Sequence, residues 1–343
     1  MRLLRGAIVA VGGVFLVATV LGSLGGLFWG FDLMANFRLQ YLVILGAAAA
    51  ALGLLGAGRT AMLLAAGALF NAALIAPLYT ADHVPAAGDD RLVVVSMNTQ
   101  LSNPNRQLPW ILAQEPDIVL FLESSRIGEE LLSELDTGYE VTSGIRNDRR
   151  FGVTVLTKEP IDLVLLQLAG SGGGAVRFEM TLGDRRVAVY GIHPPSPSNP
   201  WRSTARNRFM EEAGEVIAAD GLPAIVVGDF NSTPWSEAFR LLTEPADLTN
   251  SQDGFGYSGT WPAQLPALMR IPIDHLVYED GLTVVDREVG PALDADHRPI
   301  RVVVAPAADP AADTDTDTDT DADADADAGN GTDSPHEGGA AAP

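Results

Sequence analysis

The chain has 343 residues, a formal net charge of −22 and no cysteine. The lack of cysteine excludes disulfides, thiolate zinc sites and cysteine nucleophiles. Half of the net charge comes from residues 309–343, which carry eleven acidic side chains and no Lys or Arg. The remainder is moderately acidic, which argues against a broad surface that binds nucleic acid by neutralising phosphates but does not exclude a small basic patch.

The first 80 residues are almost all apolar. They contain three stretches without a charged residue, at residues 7–29, 39–55 and 62–78. Each stretch is about as long as an α-helix that crosses roughly 30 Å of hydrocarbon. The sequence therefore predicts three transmembrane helices in a plain anchor over residues 1–80. A cleavable signal peptide is the alternative for the first stretch, because Arg2 and Arg5 precede it.

The distribution of basic residues predicts how this anchor is oriented. Arg2 and Arg5 before the first stretch and Arg59 between the other two favour the cytoplasmic side, whereas Arg38 in the first predicted loop opposes this orientation. With three spans, everything after Tyr79 is then extracytoplasmic. We expect a multi-pass cell-membrane protein that contacts the lipid bilayer, and no protein partner is implied.

The remaining chain divides into a linker over residues 81–90, a globular domain over residues 91–305 and a tail over residues 306–343. In the tail Asp alternates first with Thr and then with Ala, so no apolar surface is available to offset the loss of chain entropy on folding. The sequence predicts a disordered acidic tail.

Within residues 91–305, predicted strands first alternate with helices and later follow one another directly. This order favours an α+β fold in which helices cover packed sheets. Glycine-rich loops of the GxGxxG or GxxxxGK[ST] type do not open any predicted helix, which argues against a doubly wound nucleotide-binding fold.

Residues 224–234, AIVVGDFNSTP, contain the most informative motif of the domain. A short apolar strand between Pro223 and Gly228 is followed directly by Asp229 and Asn231. A carboxylate and an amide two residues apart suit a hard cation or a phosphate oxygen. Taken alone, an isolated Asp-x-Asn is more typical of a buried Asp that caps a turn.

Other predicted strands also adjoin polar side chains, and taken singly each of these is typical of a structural or solvated residue. Strand ends on one edge of packed sheets converge on a single pocket, which is the arrangement that metal-assisted hydrolysis requires. The candidate residues are Asn98, Glu123, His193, Asp229, Asn231, Asp274, Asp296 and His297.

The segments MNTQ, FLES, GIHPPSP, GDFNSTP, IDHLVY and DADHRPI occur in this order over residues 91–304. Their order resembles that of the endonuclease/exonuclease/phosphatase superfamily, which includes deoxyribonucleases, apurinic endonucleases, inositol polyphosphate 5-phosphatases and neutral sphingomyelinases. Three spans ahead of such a domain are similar to a membrane-anchored bacterial subgroup. The resemblance implies a four-layer α/β/β/α sandwich that hydrolyses phosphoester bonds with Mg²⁺ or Mn²⁺.

The resemblance also implies roles for individual residues. Glu123 is the expected principal metal ligand, with Asn98 and Asp296 completing or orienting the ligand shell. Asp229 and Asn231 are expected to position the attacking water and the scissile phosphate.

Two histidines complete the implied site. His297, held by Asp274, is expected to be the base or the electrostatic partner of the water. His193 is expected to stabilise the phosphorane or to assist the leaving oxygen. Many members of the superfamily carry an acid where this chain has Gln100, so a second metal position is in doubt.

The sequence leaves the substrate open between nucleic acid and a phospholipid or small phosphate. Arg202 and Arg206 follow the HPPSP loop and are candidates for phosphate binding, because a guanidinium contacts phosphate through two hydrogen bonds. Solvated surface arginines are the alternative. Gln100 also motivates a second hypothesis, a non-catalytic membrane-anchored binding module that retains the fold.

Overall fold

A computed structural model describes residues 1–100, 106–134, 136–144, 152–169 and 173–308. Almost all of the predicted acidic tail, from residue 309 onward, lies outside these residues. The described part forms one compact unit over Met1–Ala308.

The N-terminal region is helical, as the sequence predicts. Two helical segments, Arg2–Leu27 and Gly58–Ile75, are long and apolar enough to cross a membrane. The segments Trp29–Ala35 and Arg38–Leu54 meet at a bend of 70° and form a third span only if both are counted together. The helices, in chain order, are α1 (Arg2–Leu21), a 3-10 turn (Gly22–Leu27), α2 (Trp29–Ala35), α3 (Arg38–Leu54), α4 (Gly58–Ile75) and α5 (Pro77–Thr80).

Arg38 lies inside this helical bundle and not in an exposed loop as predicted. Its side chain is 1% exposed and donates hydrogen bonds to Thr19 O at 2.8 Å and to Ser23 Oγ at 3.1 Å. Asn71 of α4 donates to Thr19 Oγ1 at 3.0 Å. A buried guanidinium needs such partners to offset its desolvation. These bonds tie α1, α3 and α4 together near the start of α3.

The chain after residue 91 forms two sheets with helices outside them. The helices are α6 (Leu108–Leu112), α7 (Arg126–Glu134), α8 (Pro200–Ala218) and α9 (Glu237–Thr243). The strands are β1 (Leu92–Asn98), β2 (Ile118–Ser124), β3 (Glu140–Ser143), β4 (Gly152–Thr157), β5 (Val164–Leu165), β6 (Gly174–Leu182), β7 (Arg185–His193), β8 (Ala224–Asp229), β9 (Thr249–Asn250), β10 (Asp274–Tyr278), β11 (Leu282–Val289) and β12 (Ile300–Pro306).

The two sheets pack face to face. In the described residues their strand orders are β11-β12-β1-β2-β4-β3 and β5-β6-β7-β8-β10-β9. The apolar core between them contains side chains such as Leu120, Val189 and Val227. A second core joins the outer face of the second sheet to α8 and α9, and a third joins the first sheet to α6 and α7. The predicted four-layer α/β/β/α sandwich is confirmed.

Strand pairing brings the predicted site residues to one edge of the sandwich. β1 and β2 are parallel neighbours, so Asn98 and Glu123 lie at adjacent strand ends. β7 and β8 are also parallel, which brings His193 beside Asp229. Asp274 begins β10 and does not follow a strand as predicted, but β10 is antiparallel to β8 and pairs Asp274 with Asp229 in register.

The N-terminal helices contact the sandwich directly. Asp32 of α2 forms an ion pair with Arg206 of α8, and both side chains are almost fully buried. Asn36 Oδ1 accepts a hydrogen bond from Thr233 Oγ1 at 2.9 Å, and Trp235 Nε1 donates to the Leu74 carbonyl of α4 at 2.9 Å. The helices are therefore attached to the domain by buried polar contacts in addition to the predicted linker.

Candidate active site

A pocket of about 410 Å³ opens where the strand ends of both sheets meet. Five of the predicted site residues line it: Glu123, Asp229, Asn231, Asp296 and His297. The other three, Asn98, His193 and Asp274, are at most 2% exposed and contact the lining residues from behind. The structure thus brings all eight together but separates those that face the pocket from those that hold them.

Glu123 projects into the pocket from an irregular point of the first sheet. The pairing of β2 with β4 shifts its register between Leu122 and Ser124, and Glu123 has a φ of +50°. A residue with a side chain rarely adopts this left-handed conformation, and such strain is concentrated at functional sites. A bulge at the end of a strand redirects a side chain. The Glu123 side chain is 29% exposed as a result.

Asn98 directs its amide nitrogen at two carboxylates. Nδ2 donates to Asp229 Oδ2 at 3.0 Å and to Glu123 Oε1 at 3.3 Å. Its Oδ1 accepts from the backbone N of Gln100 at 2.9 Å, which fixes the orientation of the amide. Of the two roles expected for Asn98, its contacts favour orienting the carboxylates over coordinating a metal.

His193 is a positioning residue in this geometry. Its Nε2 lies 3.2 Å from Glu123 Oε1 and its Nδ1 lies 3.2 Å from the Asp229 carbonyl oxygen. Burial alone would lower the pKa of His193, but the hydrogen bond to Glu123 and the charges of Asp229 and Glu123 raise it above its usual value. Both ring nitrogens are therefore occupied by protein oxygens, so the expected direct contact with the phosphorane is not favoured.

The same contacts keep Glu123 ionised. Burial alone would raise the pKa of Glu123, but the hydrogen bonds from His193 and Asn98 and the charge of His193 hold it below its usual value. An ionised, partly exposed carboxylate is a suitable ligand for a hard cation that keeps several of its waters.

The loop after β8 presents Asp229 and Asn231 together. Asp229 Oδ1 accepts from the backbone N of Asn231 at 2.8 Å, and Asn231 Nδ2 donates to Pro194 O at 3.1 Å. A Cβ at Gly228, which has a φ of +153°, would lie 2.0 Å from Ile192 O, so this close approach of β7 requires glycine. Burial raises the pKa of Asp229.

His297 lies among three carboxylates. Its Nδ1 is 2.9 Å from Asp274 Oδ2, while its Nε2 lies 3.7 Å from Asp229 Oδ2 and 4.0 Å from Asp296 Oδ1. Burial alone would lower the pKa of His297, but Asp274, Asp229 and Asp296 together raise it to about 10. Asp274 therefore fixes the orientation of the ring and directs Nε2 toward the pocket.

The pocket residues have the chemistry that a divalent cation requires. Asp229, Asp274 and His297 form a buried cluster whose potential ligand atoms lie within 4.8 Å of one another. His297 Nδ1 is already hydrogen-bonded to Asp274, so two of these three residues are engaged with each other. Glu123 and Asp296 add two partly exposed carboxylates to the same pocket. Such a set of carboxylate oxygens fits Mg²⁺ or Mn²⁺.

The two predicted phosphate-binding arginines have different surroundings. Arg206 is fully buried, pairs with Asp32 and donates from Nη1 to Asn231 O at 3.0 Å, so its guanidinium is not available to a substrate. The prediction for Arg206 is therefore corrected: it attaches α2 to the active-site loop. Arg202 is partly exposed and donates from Nε to Ser196 O at 2.9 Å, beside the pocket lining.

The pocket also contains residues that the sequence did not indicate. Leu33 and Phe37, from the predicted plain anchor, line it together with Ile271 and Ile273. Trp261 lines it as well, and its Nε1 donates to Asp296 Oδ2 at 3.2 Å. A signal was present in Asp32 and Asn36, two polar side chains between apolar stretches. Polar residues at such positions tend to bind a partner.

The chain is an α/β/β/α sandwich with carboxylates, an amide and imidazoles gathered at one edge. The Endonuclease/Exonuclease/phosphatase family model matches residues 95–299, so the chain belongs to this family. The match includes every predicted site residue, from Asn98 to His297. A comparison with curated proteins finds no match to this chain.

Solved structures share the fold at low sequence identity. The human Nocturnin catalytic domain with bound sulfate anion is 18% identical, with a TM-score of 0.51, and the match covers 67% of this chain and 98% of that chain. The D. rerio TDP2 complexed with single strand DNA product is 17% identical, with a TM-score of 0.52 and coverage of 63% and 99%. The endonuclease/exonuclease/phosphatase from Bacteroides vulgatus is 16% identical, with a TM-score of 0.52 and coverage of 64% and 100%.

Proposed function

We propose that this protein is a membrane-anchored phosphoesterase that depends on Mg²⁺ or Mn²⁺ and hydrolyses a phosphodiester or phosphomonoester. The proposal rests on one observation, the convergence of five polar side chains on one pocket: Glu123, Asp229, Asn231, Asp296 and His297. The chain also belongs to the Endonuclease/Exonuclease/phosphatase family. Other members with a similar fold include a protein solved with bound sulfate and one solved with a DNA product.

We assign the metal to the carboxylates of Glu123, which Asn98 orients, and of Asp296. A bound divalent cation polarises the phosphoryl group and lowers the pKa of water. Glu123 is held ionised by His193 and Asn98, and Asp296 is held by Trp261. These contacts restrict the two carboxylates before any ligand binds, which reduces the reorganisation needed during the reaction.

Asp229 and Asn231 act on the attacking water and the phosphate. Burial raises the pKa of Asp229, which makes its carboxylate a stronger proton acceptor. We assign to it the proton of the water, whose oxygen then bonds to phosphorus while the bond from phosphorus to the leaving oxygen breaks. The Asn231 amide orients the phosphate, and the leaving oxygen takes up a proton from bulk water to give an alcohol, while Asp229 returns its proton to the solvent.

His297 supplies positive charge next to Asp229. Asp274 Oδ2 lies 2.9 Å from its Nδ1, so Nε2 faces the pocket, where a bound phosphate would develop negative charge in the transition state. A fixed cation that does not need to reorganise stabilises such a transition state strongly. His193 holds Glu123 and the Asp229 backbone and does not contact the substrate.

The N-terminal helices act as the membrane anchor of the enzyme in this proposal. Their polar contacts with the sandwich come from α2, from the start of α3 and from the end of α4, and the end of α1 is hydrogen-bonded to the start of α3. Met1 and the turn between α3 and α4 would then face the opposite side of the bilayer. The basic residues near these ends favour an extracytoplasmic catalytic domain. A C-terminal reporter that is active only in the cytoplasm would contradict this orientation.

The proposal is tested with the full chain in detergent micelles, bis(p-nitrophenyl) phosphate as substrate, and added Mg²⁺ or Mn²⁺. We expect hydrolysis that EDTA removes and that the metal restores. Asp229→Ala and His297→Ala should each reduce the rate by about 10² to 10⁴-fold, which is the range for proton transfer by a positioned group.

Asp184→Asn serves as the matched control, because Asp184 is exposed in the turn between β6 and β7. It should leave the rate unchanged. Absence of metal-dependent hydrolysis in a folded wild type, together with metal binding, would instead support the non-catalytic binding module.

A further inference from the structure

One wall of the active-site pocket comes from the N-terminal helices. Leu33 of α2 and Phe37, which precedes α3, line the pocket together with Glu123, Asp229 and His297. The wall is held in place by the buried Asp32–Arg206 ion pair and by the bond from Thr233 to Asn36. The pocket is therefore shared between the catalytic domain and the proposed anchor.

This wall offers mainly hydrocarbon to a ligand. Leu33, Phe37, Ile271 and Ile273 are all apolar, and Asn36 uses its Oδ1 to accept two hydrogen bonds from Thr233. A substrate that is polar throughout would lose most of its hydration on this side without a replacement. The wall therefore suits a substrate that carries hydrocarbon close to its phosphate.

Apolar side chains continue from the pocket to the surface. Phe37 is 41% exposed, and Leu268 and Met269 are 47% and 56% exposed. Gln40 of α3 donates to the carbonyl oxygens of Leu268 and Arg270, which attaches this exposed segment to the start of α3. Phe37, Leu268 and Met269 thus form an apolar rim of the pocket that adjoins the N-terminal helices.

The exposed residues Phe37, Leu268 and Met269 lie at a particular level along the N-terminal helices. If Arg2–Leu27 and Gly58–Ile75 cross a bilayer, then the short helix α2, which bends by 70° from α3, lies where the spans meet the catalytic domain. Side chains at this level lie at the boundary between hydrocarbon and water. The pocket mouth is then at the membrane surface, within reach of a lipid head group.

We propose that the substrate of this site is a membrane lipid whose head group contains the phosphoester. The phosphate contacts the wall of Glu123, Asp229 and His297, the first carbons of the lipid contact Leu33, Phe37 and Ile271, and the chains remain in the bilayer. A volume of about 410 Å³ is sufficient for a head group in a site of ordinary small-molecule size. This inference rests on the proposed phosphoesterase function and names its substrate class.

The test compares each lipid with its water-soluble head group, using the full chain in mixed micelles with Mg²⁺. The pairs are dioleoyl phosphatidic acid against glycerol 3-phosphate, and dioleoyl phosphatidylglycerol against glycerophosphoglycerol. Hydrolysis adds water across one bond between phosphorus and oxygen, so released phosphate or alcohol is measured. We expect kcat/KM at least 100-fold higher for the lipid member of one pair than for its soluble member.

Two variants probe the apolar wall directly. Leu33→Gln keeps side-chain size and Phe37→Gln removes the aromatic ring, and both add a polar group. Each variant should lower the ratio of lipid rate to soluble rate at least tenfold. Val164→Gln is the matched control, because Val164 is 50% exposed on the edge strand β5 and does not line the pocket. It should leave the ratio unchanged.

The outcomes separate this inference from the proposed function. Equal rates on lipid and soluble members, or faster cleavage of single-stranded DNA or RNA than of any lipid, would overturn the lipid substrate while the phosphoesterase assignment stands. The wild-type comparison decides this even if a variant does not fold. Failure to hydrolyse bis(p-nitrophenyl) phosphate as well as every lipid would overturn the proposed function itself.

Discussion

The pocket has two walls that come from different parts of the chain and differ in chemistry. The first wall consists of strand ends and carries Glu123, Asp229 and His297, each held by a buried partner. The second consists of Leu33 and Phe37 from the N-terminal helices and is apolar. In our proposal the first wall acts on the phosphoester, and the second wall contacts the hydrocarbon that is attached to it.

The comparison predicts that catalysis and substrate selectivity can be separated by mutation in this protein. Groups on the first wall depend on charge and hydrogen bonds over distances near 3 Å. Contacts on the second wall depend on buried apolar area, which contributes about 25 cal/mol per Å². Mutations in the first wall should therefore lower the rate of hydrolysis strongly and to the same extent for every substrate.

The largest effect is expected at Glu123. Glu123→Gln removes the ionised carboxylate that we assign to the metal, so kcat/KM for bis(p-nitrophenyl) phosphate should fall about 10³ to 10⁴-fold, which corresponds to roughly 4 to 5.5 kcal/mol. Mn²⁺ affinity measured by calorimetry should fall with it. Asp286→Asn, at an exposed acid on β11, is the control. A Glu123→Gln enzyme with normal Mn²⁺ affinity would contradict the assignment.

The next largest effect is expected on protein stability, from breaking the ion pair that attaches the second wall to the catalytic domain. Asp32→Ala leaves the fully buried Arg206 without its carboxylate, which should lower the free energy of unfolding by about 3 to 5 kcal/mol. Denaturant unfolding of the full chain in detergent micelles measures this change. Glu244→Ala removes an exposed pair with Arg240 and should cost no more than about 1 kcal/mol.

A double variant sharpens this prediction. Arg206→Met in the Asp32→Ala background removes the unpaired charge, so part of the lost stability should return. If Asp32→Ala and Glu244→Ala destabilise the protein equally, the buried pair does not attach α2 to the domain as inferred.

A smaller effect is expected at Asp274, which acts through His297. Asp274→Asn keeps the side-chain size but removes the negative charge that orients the ring and raises its pKa. We expect kcat to fall about 10²-fold with little change in KM, and the pKa of His297, followed by NMR, to fall as well. Asp220→Asn, at an acid paired with Arg177 away from the pocket, should leave both unchanged. A normal kcat in Asp274→Asn would exclude the orienting role.

The smallest effect is expected from pH, which changes the free energy of unfolding through protonation of His275. His275 is fully buried and hydrogen-bonded to Ser232 O, and burial lowers its pKa to about 4. The unfolded chain binds this proton near pH 6.5, so the stability contributed by neutral His275 is present above that pH and is lost as the pH falls toward 4. Between pH 7 and pH 5.5 the loss should be on the order of 1 kcal/mol.

A variant isolates this contribution from other titrating groups. Burial raises the pKa of Asp253 to about 6, so its contribution has the opposite sign and is lost as the pH rises. The difference between wild type and His275→Gln, measured by denaturant unfolding at both pH values, cancels that opposing term. An identical pH dependence in both proteins would contradict the prediction.

Local patterns in the sequence were sufficient for the layers and for most strands. The strand that ends at Asp229 was predicted from its apolar residues alone, and it occurs as β8 at Ala224–Asp229. The order of segments also indicated all eight residues that meet at the site. Such patterns are informative because each depends on a short stretch of chain and on the burial that the stretch requires.

The distribution of these residues around the pocket was not predictable in the same way. His193 and Asp229 are similar as polar residues at a strand end, but only Asp229 lines the pocket. Arg206 and Arg202 stand four residues apart on α8, and yet one is buried against Asp32 while the other lies beside the pocket loop. Which side chain faces the pocket depends on neighbours more than a hundred residues away in the sequence.

The sequence by itself determined the apolar N-terminal helices, the family domain and the set of residues that meet at the candidate site, because apolar length, periodicity and the order of motifs can be read along the chain without its contacts. Only the tertiary structure decided that α2 closes the pocket and that Asp32 is the partner of Arg206. The physical reason is that burial and charge pairing depend on which surfaces meet in space, and the sequence does not record this for segments 174 positions apart.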